Sequence, residues 1–354
     1  MPSLTTGREK PGRYWKIDLE TLEMPAAGMS KVHVKGPSGS RVVTLDVARA
    51  DHADLLARAY GATGAKDTKF GALTFAGDFI GAFVYVPADV AIDEPITIVY
   101  SADGAAYPHT VVLAEHGARA TIVERFEGTD GATFCAVAEI VAGDGADITF
   151  VSVQNLPDAA RLIATRDARP GNGARVAWAV ADLGAALSVG SADARIEHEG
   201  AHVDIAALFF PNGAQHVDLM TTVDHAAGHA TSETVVKSAA IGSGQARYLG
   251  NIKIAKDAQG SNASLRDDAL LLSKSAHIDS VPALEIAAND VKAFHGATVG
   301  AIDAEQIFYM ESRGIERHAA ERMIALGFFE PAIARFPGES LREELREGLR
   351  RKIG

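Results

Sequence analysis

The stretches GARATIVER (117–125), GADITFVSV (145–153), GARVAWAVA (173–181) and GAHVDIAAL (200–208) decide how this chain folds. Each opens on a Gly-Ala pair and runs on as an apolar, strand-like segment, and the pairs stand 28, 28 and 27 residues apart. Further Gly-Ala pairs at Gly104, Gly131, Gly184 and Gly213 fall near half that interval. Recurrence at this period predicts a coiled solenoid, in which each turn stacks its strands on the turn before. Glycine then takes the corners, where the backbone needs φ > 0.

The surrounding sequence agrees. From about Lys69 to about Thr298 a helical period is nearly absent, and short β-rich runs follow one another. They include ALTFAG, GAFVYVP, ITIVY, TVVLAE, FCAVAEIVA, VDLMTTV and LRDDALLL, bounded by Gly, Pro, Asn and Asp. A doubly wound α/β fold would place a helix between successive strands, and none is visible. A large β-sandwich or jelly roll is the competing architecture. Asn-Gly at 172–173 and 212–213 leaves room for hairpins. Some fifteen strands with few hairpin signals favour the solenoid.

Helical sequence is confined to the two flanks, which divides the chain into 1–68, 69–302 and 303–354. Asp46 to Tyr60 (DVARADHADLLARAY) is Ala/Leu-rich and predicts a helix. After Ile302, Asp303-Ala-Glu-Gln306 reads as a capping box opening AEQIFYMES, with Gly314 as its terminator. IERHAAERMIAL is expected to stop at Gly327. Ser340-Leu-Arg-Glu343 reads as a second capping box, and Leu341, Leu345 and Leu349 recur every four residues on one face of the helix it starts. So short a helix is marginal alone, so this stripe must be covered by its own chain or by a partner.

Composition narrows the function. With 34 Lys+Arg against 46 Asp+Glu the formal net charge is −12, which argues against nucleic acid or an anionic membrane as principal partner. Charged residues at 23% and hydrophobic ones at 47% are globular values. No run approaches the ~20 apolar residues of a membrane span. The opening MPSLTTGREKPGRYWK lacks the apolar core of a secretory signal, so a soluble cytoplasmic protein is expected.

The familiar catalytic signatures are missing. There is no GxxxxGK[ST], no GxGxxG between strand and helix, no GxSxG and no HExxH. The single cysteine, Cys135, sits in apolar TFCAVAEIV and reads as a buried, inert thiol. Twelve histidines remain, densest in QHVDLMTTVDHAAGHATSE, where His216, His225 and His229 stand near Asp218 and Asp224. Imidazoles with adjacent carboxylates can bind metal, although the plainer reading is structural. His198 and His202 in IEHEGAHVD invite the same question. His295, between Phe294 and Gly296, lies where the β-rich region hands over to helices, a place that often faces an interface.

The same junction carries a resemblance. SVPALEIAANDVKAFHGATVGAIDAEQIFYMESRGI (280–315) closely resembles the SufB/SufD family of iron–sulfur cluster assembly scaffolds, SufD more than SufB. GAFVYVPADVAIDEPI (81–96), GARATIVERFEG (117–128), QHVDLMTTVDHAAGHATSE (215–233), ALLLSKSAHIDSVPALEI (269–286) and GFFEPAIARFP (327–337) fit the same family. GRYWKIDLETL (12–22) is weakly similar to the Trp-containing start of SufD chains.

The resemblance implies a mainly β fold: a right-handed parallel β-helix core with short N- and C-terminal helical segments. It implies a non-catalytic scaffold that pairs with a SufB-like subunit, or with a second copy of itself, through the end of the β-helix. It also implies that a SufC-like ABC-type ATPase docks on the C-terminal helices, through Phe308, Ile324, Phe328, Phe329, Leu341 and Leu345. ATP-driven dimerisation of two such ATPases would rearrange the scaffold pair. No tightly bound cofactor is expected, only a transient iron–sulfur cluster at the subunit interface. The histidine of the family's HGAT segment maps onto His295, the one candidate contact to cluster or iron. SufD chains often carry a cysteine two positions earlier, where this chain has Ala293, so any contact there rests on imidazole. FHGAT replaces the EHEAT-like segment of SufB-type chains. A SufB-like homodimer and a β-helix enzyme acting on polysaccharide are the alternatives. The latter would need paired carboxylates in an open groove, for which Asp218 and Asp224 are candidates.

Overall fold

The computed structural model describes residues 24–77 and 80–354, and GRYWKIDLETL lies outside the described residues. The chain begins with strands β1 (Met29–Lys35) and β2 (Arg41–Thr44), followed by helices α1 (Leu45–Asp51), α2 (Ala53–Ala57) and α3 (Lys69–Gly77). Seventeen strands follow. The first are β3 (Ile80–Val86), β4 (Ile96–Asp103), the two-residue β5 (Ala105–Ala106), β6 (Pro108–Ala114), β7 (Arg119–Gly128) and β8 (Thr133–Ala142). Then come β9 (Asp147–Gln154), β10 (Arg161–Pro170), β11 (Arg175–Asp182), β12 (Leu187–Ile196), β13 (His202–Phe209) and β14 (His216–His225). The last are β15 (Thr231–Ala240), β16 (Gln245–Ile254), β17 (Asn262–Leu271), β18 (His277–Ile286) and β19 (Lys292–Ala301). Three helices close the chain: α4 (Ala304–Ser312), α5 (Arg317–Ile333) and α6 (Glu339–Ile353).

The solenoid expectation holds. Alternate strands join two sheets, ordered β1-β4-β7-β9-β11-β13-β15-β17-β19 and β18-β16-β14-β12-β10-β8-β6-β3-β2. From β3 onward the pairing is parallel, so the chain winds through about eight turns. Gly117, Gly145, Gly173 and Gly200 all occupy corners with φ between 59° and 70°. Their amides bond along the stack, Gly117 N to Asp144 O at 2.9 Å and Gly145 N to Asn172 O at 2.8 Å. Both Asn-Gly pairs lie at such corners rather than in hairpins, with Gly173 and Gly213 near +60°. At the Gly184 pair the positive φ belongs to Ala185 instead, at 71°. Gly184 answers a different demand, since a Cβ there would stand 2.2 Å from Leu156 O.

Inward side chains of the two sheets fill one continuous core, rich in Ala, Val and Ile, with aromatic residues stacked through it. Phe126 meets Phe134 edge-on at 5.3 Å, and Phe150 meets Trp178 at 5.2 Å. Each such fully buried side chain contributes about 1.5–3 kcal/mol by leaving water. Outer faces are covered as well, which is why runs such as TFCAVAEIVA are apolar on both faces, save for the buried Glu139, rather than alternating. α1–α3 pack on the β3–β12 sheet through Leu45, Leu56 and Phe70. α5 and α6 pack on the other sheet over β9, β11 and β13.

The flanks depart from the sequence reading at four points. ALTFAG (72–77) is not a strand but most of α3, held by Thr74, whose Oγ1 donates to Cys135 O at 2.8 Å. The 46–60 helix breaks at His52 into α1 and α2. α5 does not stop at Gly327 but continues through Pro331 to Ile333, because Phe329, Ala332 and Ile333 are buried against the sheet. α6 starts two residues early, capped by Gly338 at φ 75° rather than by Ser340. The Asp303 cap is as expected: its carboxylate accepts from Glu305 N at 2.9 Å, and Gly314, at φ 83°, ends the turn after α4. No helix among the described residues is long and apolar enough to cross a membrane.

Candidate functional site

The two ends of the solenoid differ. At the first turn, the terminal strands β1 and β2 run antiparallel to β4 and β3. Their exposed positions carry Met29 and then Lys31, His33, Lys35 and Arg41, the charged dressing that keeps a sheet edge from pairing further. At the last turn nothing caps the sheets. β18 pairs only with β16, and β19 only with β17, so both present a free edge among the described residues. Apolar side chains crowd this end: Phe294 is 56% exposed, and Val281, Ile286 and Val299 are also exposed.

His295 stands at this open end. It pairs with Leu265 across the β17–β19 ladder, and paired residues share a face of the sheet. Leu265 belongs to the solenoid core, so the imidazole extends the inward-facing row by one step and is left exposed because no further turn covers it. Phe294, its neighbour, falls on the outer flank. Ala293 also lies in the inward row and packs on the core.

The other histidines do not converge. His216 and His225 lie at opposite ends of β14, and His229 occupies the next corner with φ 54°. His225 is buried, shares a hydrogen bond of 2.8 Å with Ser232 Oγ, and is pushed down to about 4 by burial, so it is neutral. His202 stands 3.0 Å from Asp204, while His198 is exposed in the preceding corner. Among the described residues no group of three or more His, Cys, Asp or Glu is placed to hold a metal. Asp218 and Asp224 do not form a pair in a groove either. Asp218 is buried 2.9 Å from Arg247 Nε and is pushed up to about 6 by burial, whereas Asp224 faces Arg195 at 3.5 Å. This removes the carboxylate pair on which the polysaccharide reading rested.

Cys135 is buried as expected. Its thiol donates to Phe70 O at 3.4 Å, and burial pushes its pKa up to about 12. A thiol with so little thiolate is unreactive. The native chain should therefore resist an aromatic disulfide reagent at pH 8 and yield one equivalent of thiol only in denaturant; rapid native labelling would contradict this placement.

The C-terminal helices correct the docking residues. Phe329, Leu341 and Leu345, with Leu349, are buried on the chain's own sheet against Val151, Ala181 and Phe210, so they are spent internally. Ile324 is half-buried, and Phe328 is half-buried under Lys237, whose ammonium lies 4.5 Å from its ring centre. Phe308 alone of the six is freely exposed, at 71%, and Tyr309 on α4 and Met323 on α5, which the sequence reading missed, are exposed as well. Ile307 faces inward in α4, and neighbours one and two positions on cannot share its side, a signal that was available in the sequence.

Comparison with known proteins agrees with this geometry. Residues 97–328 match the family model described as SUF system FeS cluster assembly, SufBD core domain. The iron–sulfur cluster assembly protein SufD of Bacillus subtilis is 29% identical over 313 residues, covering 86% of this chain and 71% of the relative. A SufBD family protein of Mycobacterium leprae is 28% identical, covering 73% of this chain but 30% of the relative. One from Staphylococcus haemolyticus is 28% identical, covering 78% and 60%. With a matching core over most of its length and a SufD among its relatives, the chain belongs to the SufBD family of iron–sulfur cluster assembly proteins, on the SufD-like side.

Proposed function

We propose that this chain is a non-catalytic, SufD-like scaffold subunit of a cytoplasmic SUF assembly complex. It pairs through the open β18/β19 end with a SufB-like subunit and carries a SufC-like ATPase on α4 and α5. The observation that supports this best is the asymmetry of the solenoid. Both ends present terminal strands, but the first is finished by antiparallel strands bearing Lys31, His33, Lys35 and Arg41, while the last leaves Phe294, Val281 and Val299 exposed on the strands around His295. Free edges flanked by apolar side chains are what strand addition by a partner requires. Cluster or iron is then cargo at that junction, with His295 the contact from this side.

A thiol-bearing partner fits better than a second copy. Cys135 is buried under α3, and Ala293 occupies the position beside the imidazole, so a homodimer would bring no thiolate to the junction. On α4 and α5, Phe308, Tyr309 and Met323 form the apolar surface offered to the ATPase.

Co-purification with a SufC-like ATPase and a SufB-like chain tests the assignment. A stable ternary complex is expected, and His295→Ala should lower cluster yield in it severalfold with the thermal midpoint unchanged. Absence of any complex would refute the scaffold role, and undiminished cluster yield from the variant would take His295 out of the site.

A further inference from the structure

Directly beneath the open end lies a buried carboxyl that the pairing scheme above does not use. Asp267 of β17 is fully buried and belongs to the inward-facing row, between Leu265 and Ala269 of the core. In the β17–β19 ladder it pairs with Ala297, two residues beyond His295 on the same face. Ser280 of β18 donates its hydroxyl to Asp267 Oδ2, and Oδ1 has no hydrogen-bond partner. The strands concerned belong to different sheets, so this bond spans the interior of the solenoid.

Its position gives it weight. Deeper turns are held together by a filled apolar core, whereas in the final turn the buried apolar side chains are Ile278 and Ala288. Leu284 is only partly buried, Ala293 likewise, and Ala297 and Val299 are exposed. β18 and β19 each hang from one neighbour, so their separation depends on whatever ties one sheet to the other at this level. Ser280–Asp267 is a side-chain hydrogen bond that does so. A buried carboxyl with a single partner is costly to keep. The nearby Lys237 ammonium donates to Asp268 instead, at 2.7 Å, on the other face of β17.

We propose that Asp267 is the positioning residue of the end face, latching β18 to β17 through Ser280 so that both free edges and His295 are held in register for the incoming subunit. The proposal rests on the pairing role given above. Asp267 touches no cargo; it acts through Ser280 and the strands.

The test uses the full chain with Asp267→Ala, Ser280→Ala, the double variant and Asp267→Asn, whose amide oxygen still accepts from Ser280. Pairing with a SufB-like chain is measured by calorimetry, and amide exchange is followed over 277–301 and over 117–254. Asp267→Ala and Ser280→Ala should each weaken pairing about tenfold and lower protection in 277–301 while 117–254 stays protected. The double variant should be no worse than either single one, and Asp267→Asn should behave as wild type. Pairing within twofold of wild type, with 277–301 equally protected in both alanine variants, would overturn the latch, as would failure of Asp267→Asn to restore it. Should the wild-type chain not pair at all, the scaffold reading falls, and the exchange data alone then judge the latch.

Discussion

Arg166→Leu should lose about 3–5 kcal/mol of stability, the usual result of stripping one partner from a buried ionic group. Arg166 projects into the solenoid interior, where its Nη2 donates to Ser152 Oγ at 2.9 Å and its Nη1 to Ser191 O at 3.4 Å. Two buried carboxyls depend on it. Glu124 and Asp182 both have pKa values raised by burial, and in each case the Arg166 charge is the main opposing influence. Glu124 also accepts from Thr110 Oγ1 at 2.7 Å, but leucine at position 166 would leave no cation beside either group. Carboxyls whose pKa is raised in the folded state weaken that state as pH rises, since ionisation is then forced in a dry interior. The variant's deficit should thus be larger at pH 8 than at pH 5, where protonation relieves it. Denaturant melts at the two pH values measure this, and a deficit below about 1 kcal/mol at pH 8 would show that the network carries little.

The second large effect falls on association. Phe294→Asp should weaken pairing with a SufB-like subunit by about a hundredfold or more, as loss of a central aromatic anchor does. The thermal midpoint should stay within about 2 °C, because an exposed side chain carries little folding energy. Phe294 is 56% exposed on a strand with one free edge, so aspartate there meets water in the free chain but would be desolvated in a docked pair. Val47→Asp, on α1 at the far flank and also exposed, is the control expected to leave pairing unchanged. Equal affinity of wild type and Phe294→Asp would move the interface elsewhere.

The strands that announced themselves were those buried on both faces. FCAVAEIVA and RVAWAVA are nearly continuous apolar runs because one face meets the core and the other meets a covering helix. Strands β10, β12 and β15 were harder to read, since their inward positions include the buried polar residues Arg166, Ser188, Ser232 and Thr234. ALTFAG misled for a related reason. Its β-rich composition suits the groove it fills over Cys135 as well as it would suit a strand, and contacts far along the chain settled the matter.

What the sequence determined by itself was the winding: glycine at a fixed interval, each followed by an apolar run, leaves little alternative to stacked turns, because only glycine takes such corners without strain. It also carried His295 to the last turn and Cys135 to the interior. Tertiary structure alone decided which apolar residues remain free. The Leu341/Leu345/Leu349 stripe and Phe329 have the pattern of a docking face, and the chain's own sheet takes them. Periodicity shows that a helix face must be covered but says nothing of what covers it, and that choice is made by surfaces about 200 residues apart in sequence, in the closeness of Arg125 to Glu344 and Val151 to α6.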